Sequence, residues 1–129
     1  MTTTEFNRAE FQARAQLESL IEMVAALNTQ DDDFVQDEAR QAIHDDPLSV
    51  EVRSGWTIPG APLEPAEYCI LLCTGGPAVR IIGELDHHQQ PEDARLEYQD
   101  WAPPWTAYPT TSEDDAALLE YAGQFYFGS

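Results

Sequence analysis

The chain has 129 residues, which is enough for one modest hydrophobic core and predicts a single domain over residues 1–129. Its 24 acidic side chains outnumber 6 basic ones, all arginines, and the net charge of −18 disfavours direct binding to DNA, RNA or anionic lipid, because those interactions need cations against phosphates. Neither a long apolar run nor a basic-then-apolar N-terminus occurs, so we expect a cytoplasmic protein without a membrane span.

Two amphipathic helices are predicted at the start of the chain. Residues 5–28 place apolar side chains at helical spacing. Thr2 with Glu5 fits a capping box, and Thr3 or Thr4 could also cap the helix. A second helix over about 34–44 follows the run Asp31–Asp33, any member of which can cap it. Its predicted inward face consists of Phe34, Val35, Ala39, Ala42 and Ile43.

Four strands and a third helix follow. Residues 48–53 and 94–101 alternate apolar and polar side chains, and residues 67–73 and 78–85 are apolar runs on either side of the turn "TGGP". Ser112 is predicted to cap the last helix, with Asp115 completing a capping box. The expected fold class is α+β, with a four-stranded antiparallel meander packed against the N-terminal helices and the C-terminal helix.

The Gly75-Gly76 step is interpreted as a hairpin turn. A phosphate-binding loop needs a helix after the glycines and a lysine, whereas this chain continues with the strand-like "AVRII" and has no lysine. The turn predicts a register in which Leu72 faces Val79, Ile70 faces Ile81 and Tyr68 faces Gly83. This apolar face is expected to meet the helices. The opposite, mixed face is expected to carry Cys69, Leu71, Cys73, Arg80, Ile82 and Glu84.

Metal binding and catalysis receive little support from the sequence. Cys69, Cys73, His87 and His88 include zinc-ligand types, but Cys69 is predicted opposite Ile82, about 16 Å short of His87 at ~3.3 Å per residue. We therefore predict no metal and no cofactor. No G-x-S-x-G motif occurs. A nucleophile pair of Cys73 with His44 or His87 stays open, and no catalytic residue is assigned.

The density of carboxylates on predicted helices and caps indicates a basic partner. Such a surface can occupy the basic groove of a nucleic-acid-binding protein. Acidity can also serve solubility or adaptation to high salt, and both alternatives stay open. The candidate partner-binding carboxylates are Asp31, Asp32, Asp33, Asp37, Glu38, Asp45, Asp46, Glu113, Asp114 and Asp115.

The stretch "DWAPPWTAY" is a second candidate for partner binding. Trp101, Trp105 and Tyr108 surround two prolines, and aromatic side chains in a stiff loop are typical binding anchors. They are equally typical of a lid over the edge of a core.

Three segments carry a resemblance, namely "LLCTGGPAVRIIGELD", "ARLEYQDWAPPWTAY" and "YAGQFYFG". They resemble small uncharacterised proteins of bacterial mobile elements such as prophages, plasmids and genomic islands. The resemblance implies no active site, and the charge is similar to that of DNA mimics that block restriction or CRISPR machinery. We therefore expect a non-enzymatic acidic interaction protein; the alternative is a small ligand-binding domain or enzyme that uses the mixed sheet face.

Overall fold

The computed structural model describes residues 8–29, 33–74, 77–100 and 104–127. Two helices precede an antiparallel sheet, and a third helix follows it. The elements in chain order are α1 (Arg8–Thr29), α2 (Asp33–Asp45), β1 (Ser49–Ser54), β2 (Pro65–Cys73), β3 (Ala78–Glu84), β4 (Arg95–Gln99), β5 (Thr106–Ala107) and α3 (Ser112–Ala122).

The sheet is a meander in which each strand pairs with the next, in the order β1-β2-β3-β4-β5. All four pairings are antiparallel, which confirms the α+β class. The sheet has five strands rather than four. The additional strand β5 pairs Thr106 with Tyr98 and Ala107 with Glu97. Two residues between prolines are too few for a period-two pattern, so the sequence indicated a loop there.

Helix α1 lies at the centre of the helical layer and contacts α2, α3, β3 and β4. Its predicted apolar stripe is confirmed where it is described, because Ala13, Leu17, Leu20, Val24 and Leu27 are buried. The predicted capping box at Thr2 and Glu5 lies outside the described residues.

Helix α2 uses a narrower face than the sequence predicted. Ile43 is buried and Val35 and Ala39 are half-buried, whereas Phe34 is 70% exposed and Ala42 is also exposed. The helix packs mainly against α1. A stripe at i, i+4 and i+8 is enough for contact with one neighbouring helix, so the two outer apolar positions remain on the surface.

The cap of α3 lies one residue before the predicted one. Thr111 is the N-cap: its hydroxyl accepts a hydrogen bond from the Asp114 amide at 3.1 Å. The Asp114 carboxylate accepts one in return from the Thr111 amide at 3.0 Å. The prediction of Ser112 with Asp115 was therefore wrong. Thr111–Asp114 and Ser112–Asp115 both have the spacing of a capping box, so the sequence alone could not distinguish between them. Asp115 instead accepts a hydrogen bond from the Thr110 hydroxyl.

The β2–β3 register agrees with the sequence prediction up to a bulge. Tyr68 pairs with Gly83, Cys69 with Ile82 and Ile70 with Ile81. The predicted pairing of Leu72 with Val79 was wrong, because the register shifts after Leu71 and Val79 pairs with Cys73. One extra residue in a strand moves the following side chain to the other face. The turn residues 75 and 76 lie outside the described residues.

The core lies between the helical layer and strands β2 to β4. Its largest fully buried side chains come from all three helices and from these strands: Tyr121, Leu20, Ile43, Ile70, Ile81, Leu96, Leu118 and Val79. The buried residues form one hydrophobic cluster. On the opposite face of these strands most side chains are half-buried or exposed, and Ala78 is buried.

Strand β1 extends beyond the helical layer. Val50 and Val52 pair with Ile70 and Tyr68, so they lie on the helix-facing side of the sheet. They nevertheless remain 38% and 44% exposed, and Leu48 before them is 60% exposed. The main helix–sheet contacts are those of α1 with β3 and β4 and of α3 with β4, so the apolar side of β1 remains partly exposed.

Candidate acidic interaction surface

The negative charge is distributed unequally between the two layers. The three described helices carry eleven acidic and three basic side chains, whereas the five strands carry four acidic and three basic ones. The helices therefore have a net charge of −8 and the strands a net charge of −1. The remaining −9 lies in the segments outside these elements, so the helical layer is more acidic than the sheet.

Three of the predicted partner-binding carboxylates lie on the helices and have no side-chain hydrogen bond or ion pair among the contacts described for residues 8–127. Asp33 lies in the first turn of α2, Glu38 on its next turn and Glu113 in the first turn of α3, and all three are exposed. Carboxylates in the first turn also interact favourably with the positive end of the helix dipole. Their position is therefore compatible with helix stability and leaves the charge available to a partner.

Two more exposed carboxylates on α2 have local partners. Arg40 lies 2.9 Å from Asp37 in a pair three residues apart, and the Gln41 side chain donates a hydrogen bond to Asp45 at 2.9 Å. Exposed pairs of this kind contribute little to stability because solvent screens them. A basic partner can therefore exchange them at low cost.

The remaining described carboxylates of the predicted set accept hydrogen bonds that stabilise the fold. Asp46 is half-buried and accepts a hydrogen bond from the Tyr121 hydroxyl at 2.7 Å. Burial and this carboxylate together raise the pKa of Tyr121 well above its ordinary value. Asp114 and Asp115 are held by the cap of α3 described above. The other predicted members, Asp31, Asp32 and Trp101, lie outside the described residues.

The predicted aromatic anchors of the loop make contacts within the molecule. Trp105 stacks on the Arg80 guanidinium, whose carbon lies 4.1 Å from the ring centroid. Arg80 in turn donates two hydrogen bonds to Glu97, at 2.7 and 2.9 Å. Tyr108 packs against the core and meets Tyr98 edge-on. Trp105 therefore covers part of the outer sheet face, and Tyr108 lies at the edge of the core.

Trp56 is an exposed aromatic side chain that the sequence analysis did not single out. It is fully exposed in the loop between β1 and β2, and Ile58 and Leu63 in the same loop are more than 70% exposed. A tryptophan in a loop rich in proline and glycine carried no sequence signal that distinguished it from Trp105. Its environment depends on where the loop ends up relative to the core.

Most of the positive charge is neutralised inside the molecule. Five of the six arginines form an ion pair with a carboxylate among the described residues. The pair of Arg80 with Glu97 is the least exposed of these. The arginines therefore offer little unpaired positive charge to an anionic partner.

The outer face of the sheet contains an open concavity of about 560 Å³ over β1, β2 and β3. Arg53 lies there 2.7 Å from Glu67, and Cys69 lies beside Arg80. Burial raises the pKa of the Cys69 thiol, so the thiol stays protonated and weakly nucleophilic at neutral pH. The residues that line the concavity are Glu51, Val52, Arg53, Glu67, Tyr68, Cys69, Arg80 and Ile82.

The two cysteines lie on opposite faces of the sheet. Cys69 belongs to the outer face, whereas the bulge turns Cys73 towards α1, where Gln12 hydrogen-bonds its sulfur. The prediction that both cysteines share the mixed face was therefore wrong. Among the described residues, no group of three or more His, Cys, Asp and Glu side chains is arranged to hold a metal ion.

Comparison with protein-family models, with curated proteins and with solved structures finds no match. In the part of the chain that the structure describes, no helix has the length and apolar character that crossing a membrane requires. The function of the chain must therefore be inferred from its charge distribution and from the contacts described above.

Proposed function

We propose that this protein is a non-enzymatic interaction protein whose acidic helical layer binds the basic surface of a nucleic-acid-binding protein. The observation that carries the proposal is the segregation of charge, with −8 on the helices and −1 on the strands. Surfaces of opposite sign attract each other over distance and set the orientation of docking. A protein acidic only for solubility has no need of this segregation.

The charge density supports imitation of a nucleic acid. Duplex DNA carries one charge per ~1.7 Å of its axis, so a net charge of −18 corresponds to about 31 Å of duplex. A domain of this length has a radius of gyration of about 14 Å and, as a sphere, a diameter of about 36 Å. The molecule as a whole therefore carries a net charge per unit length close to that of duplex DNA, and the helices supply −8 of it. Restriction and CRISPR-type proteins are one class with such grooves.

The test begins with partner capture from a bacterial extract and continues with competition. A captured protein should bind nucleic acid, and duplex DNA should displace it from the acidic protein. The affinity should fall steeply as salt rises, because the Debye length is about 8 Å at 0.15 M. A partner that binds the protein and DNA simultaneously would contradict the imitation of nucleic acid.

The variants separate a defined surface from bulk charge. Asp33→Asn, Asp37→Asn and Glu38→Gln together neutralise three exposed carboxylates of α2 at little change in size. The matched control removes the same charge from exposed positions outside the helices, namely Glu64→Gln, Glu84→Gln and Glu92→Gln. The helix variant should weaken binding and reduce its salt dependence, and the control should not. If both variants lost affinity equally, binding would depend on net charge and not on the surface of α2.

A second candidate function uses the outer concavity, whose volume of about 560 Å³ lies within the range of ligand pockets. Arg53 and Arg80 would have to exchange their carboxylate partners for an anionic ligand. Arg80→Gln should abolish such binding and leave partner capture by the helical layer intact, which separates the two functions.

A further inference from the structure

The two edges of the sheet are protected to different degrees. The edge strand β5 has only two residues, whereas the edge strand β1 has six, Ser49–Ser54. Natural sheets protect their edges with short strands, prolines, lysines and bulges. Strand β1 contains neither proline nor lysine, and its register irregularity lies at its very end, between Arg53 and Ser54. It therefore offers a strand-length row of backbone donors and acceptors.

An apolar surface accompanies this edge. Val50 and Val52 lie exposed on the helix-facing side of β1, and Leu48 just before the strand is also exposed. The loop that follows β1 carries the fully exposed Trp56. Contiguous exposed apolar side chains mark interaction sites on folded proteins. The surface and the edge belong to the same strand, so one partner strand can cover both.

The charges on β1 indicate what that partner is. Glu51 and Arg53 lie on either side of Val52 and point to the outer face of the sheet. In an antiparallel pair centred on Val52, Glu51 of one copy lies opposite Arg53 of the other, and the reverse pair forms by symmetry. Centring the pair on Glu51 would oppose two carboxylates, and centring it on Val50 would leave Arg53 opposite Pro47. The strand is thus complementary to itself in one register.

We propose that this protein forms a two-fold dimer in which β1 pairs with β1 of a second copy, with Val52 at the axis. The axis is perpendicular to the sheet, so the two sheets become continuous and both helical layers lie on the same side. The near-neutral strands meet at the interface, and the acidic helices stay away from it. This dimer does not depend on the proposed function.

The size of the interface assigns a role to Trp56. A stable interface buries roughly 1,200 Å² or more in total. A six-residue strand is only about 20 Å long, so the dimer needs buried area from residues outside β1. The register brings Leu48 of one copy towards the segment that carries Trp56 of the other. Trp56→Ala should therefore weaken the dimer although Trp56 contributes no burial within one copy.

The test is sedimentation of the full chain in 0.15 M salt at concentrations from about 10 to 500 µM, a range that reveals dimers with micromolar Kd. Glu51→Arg and Arg53→Glu each place like charges opposite each other twice. Each should raise the dimer Kd at least about tenfold. An equimolar mixture of the two variants should regain a dimer, because the mixed pair again opposes carboxylates to guanidinium groups.

A control separates the interface from contacts within one copy. Arg53 pairs with Glu67 of the same chain at 2.7 Å, so Glu67→Gln removes that pair without changing the β1–β1 register. It should leave the dimer Kd within about threefold of the parent, a change below 1 kcal/mol by the affinity relation. A parent that stays monomeric over the whole range overturns the proposal. So does a dimer that Glu51→Arg and Arg53→Glu leave unchanged, or a mixture that stays monomeric.

Discussion

Gly83 is the position where a single methyl group should disturb the fold most directly. A Cβ atom built on Gly83 would overlap the backbone oxygen of Asp93 and lie 2.8 Å from both the Asp93 Oδ1 and the Tyr68 Cε1. The backbone oxygen cannot move like the end of a flexible side chain. In Gly83→Ala, strand β3 or the segment around Asp93 must therefore shift.

The magnitude follows from the contacts that this shift breaks. Asp93 accepts a hydrogen bond from the Tyr68 hydroxyl at 2.6 Å and one from the Glu84 amide at 2.7 Å. Overpacking costs roughly 1–3 kcal/mol, and each lost hydrogen bond adds about 1 kcal/mol. We expect a total of about 3–5 kcal/mol. A chain of this length has an unfolding entropy of about 270 cal/mol/K, so the Tm should fall by about 11–18 °C.

The assay is thermal unfolding followed by circular dichroism, with two matched variants. Gly55→Ala is the steric control, because the nearest atom to its Cβ is the Ala66 Cβ at 3.8 Å, and its Tm should stay within about 2 °C of the parent. Tyr68→Phe removes only the hydroxyl and should cost about 1–2 kcal/mol. A folded Gly83→Ala protein with the same Tm as the parent would refute the close approach of Asp93 to β3.

Two further predictions concern the α3 cap and the buried tyrosines. Thr111→Ala should lower the free energy of unfolding by about 1 kcal/mol in urea titrations, whereas Ser112→Ala should be nearly neutral; the reverse order would move the cap to Ser112. Burial raises the pKa of Tyr68 and of Tyr121, so above about pH 10 the unfolded chain releases protons that the folded chain retains, and stability should fall by up to about 2.7 kcal/mol per pH unit. Urea midpoints measured from about pH 9 to 11 should show a shallower decline for the double variant Tyr68→Phe, Tyr121→Phe, and an equal decline would contradict the assignment.

The sequence was sufficient for those features that depend on local periodicity. The 3.6-residue spacing in α1 and the two-residue alternation around Leu96 arise within each segment, because one face of the segment must be apolar. Short loops between strands then permit only an antiparallel meander. The same logic located Asp33, Glu38 and Glu113 on exposed helix turns, since charged side chains avoid the buried stripe. Whether these carboxylates bind a partner stays a prediction.

Several features were decided only by the tertiary structure, because they depend on which distant segments meet. The bulge at Leu72 turns Cys73 to the opposite face from Cys69, and no local pattern predicts an extra residue in a strand. Trp105 stacks on Arg80 because β5 returns to the sheet, whereas Trp56 stays exposed because its loop does not. The valines of β1 alternate like core residues, yet they remain exposed because the helices pack over β3 and β4. Alternation defines the two faces of a strand, but only the packing of other elements determines which face is covered.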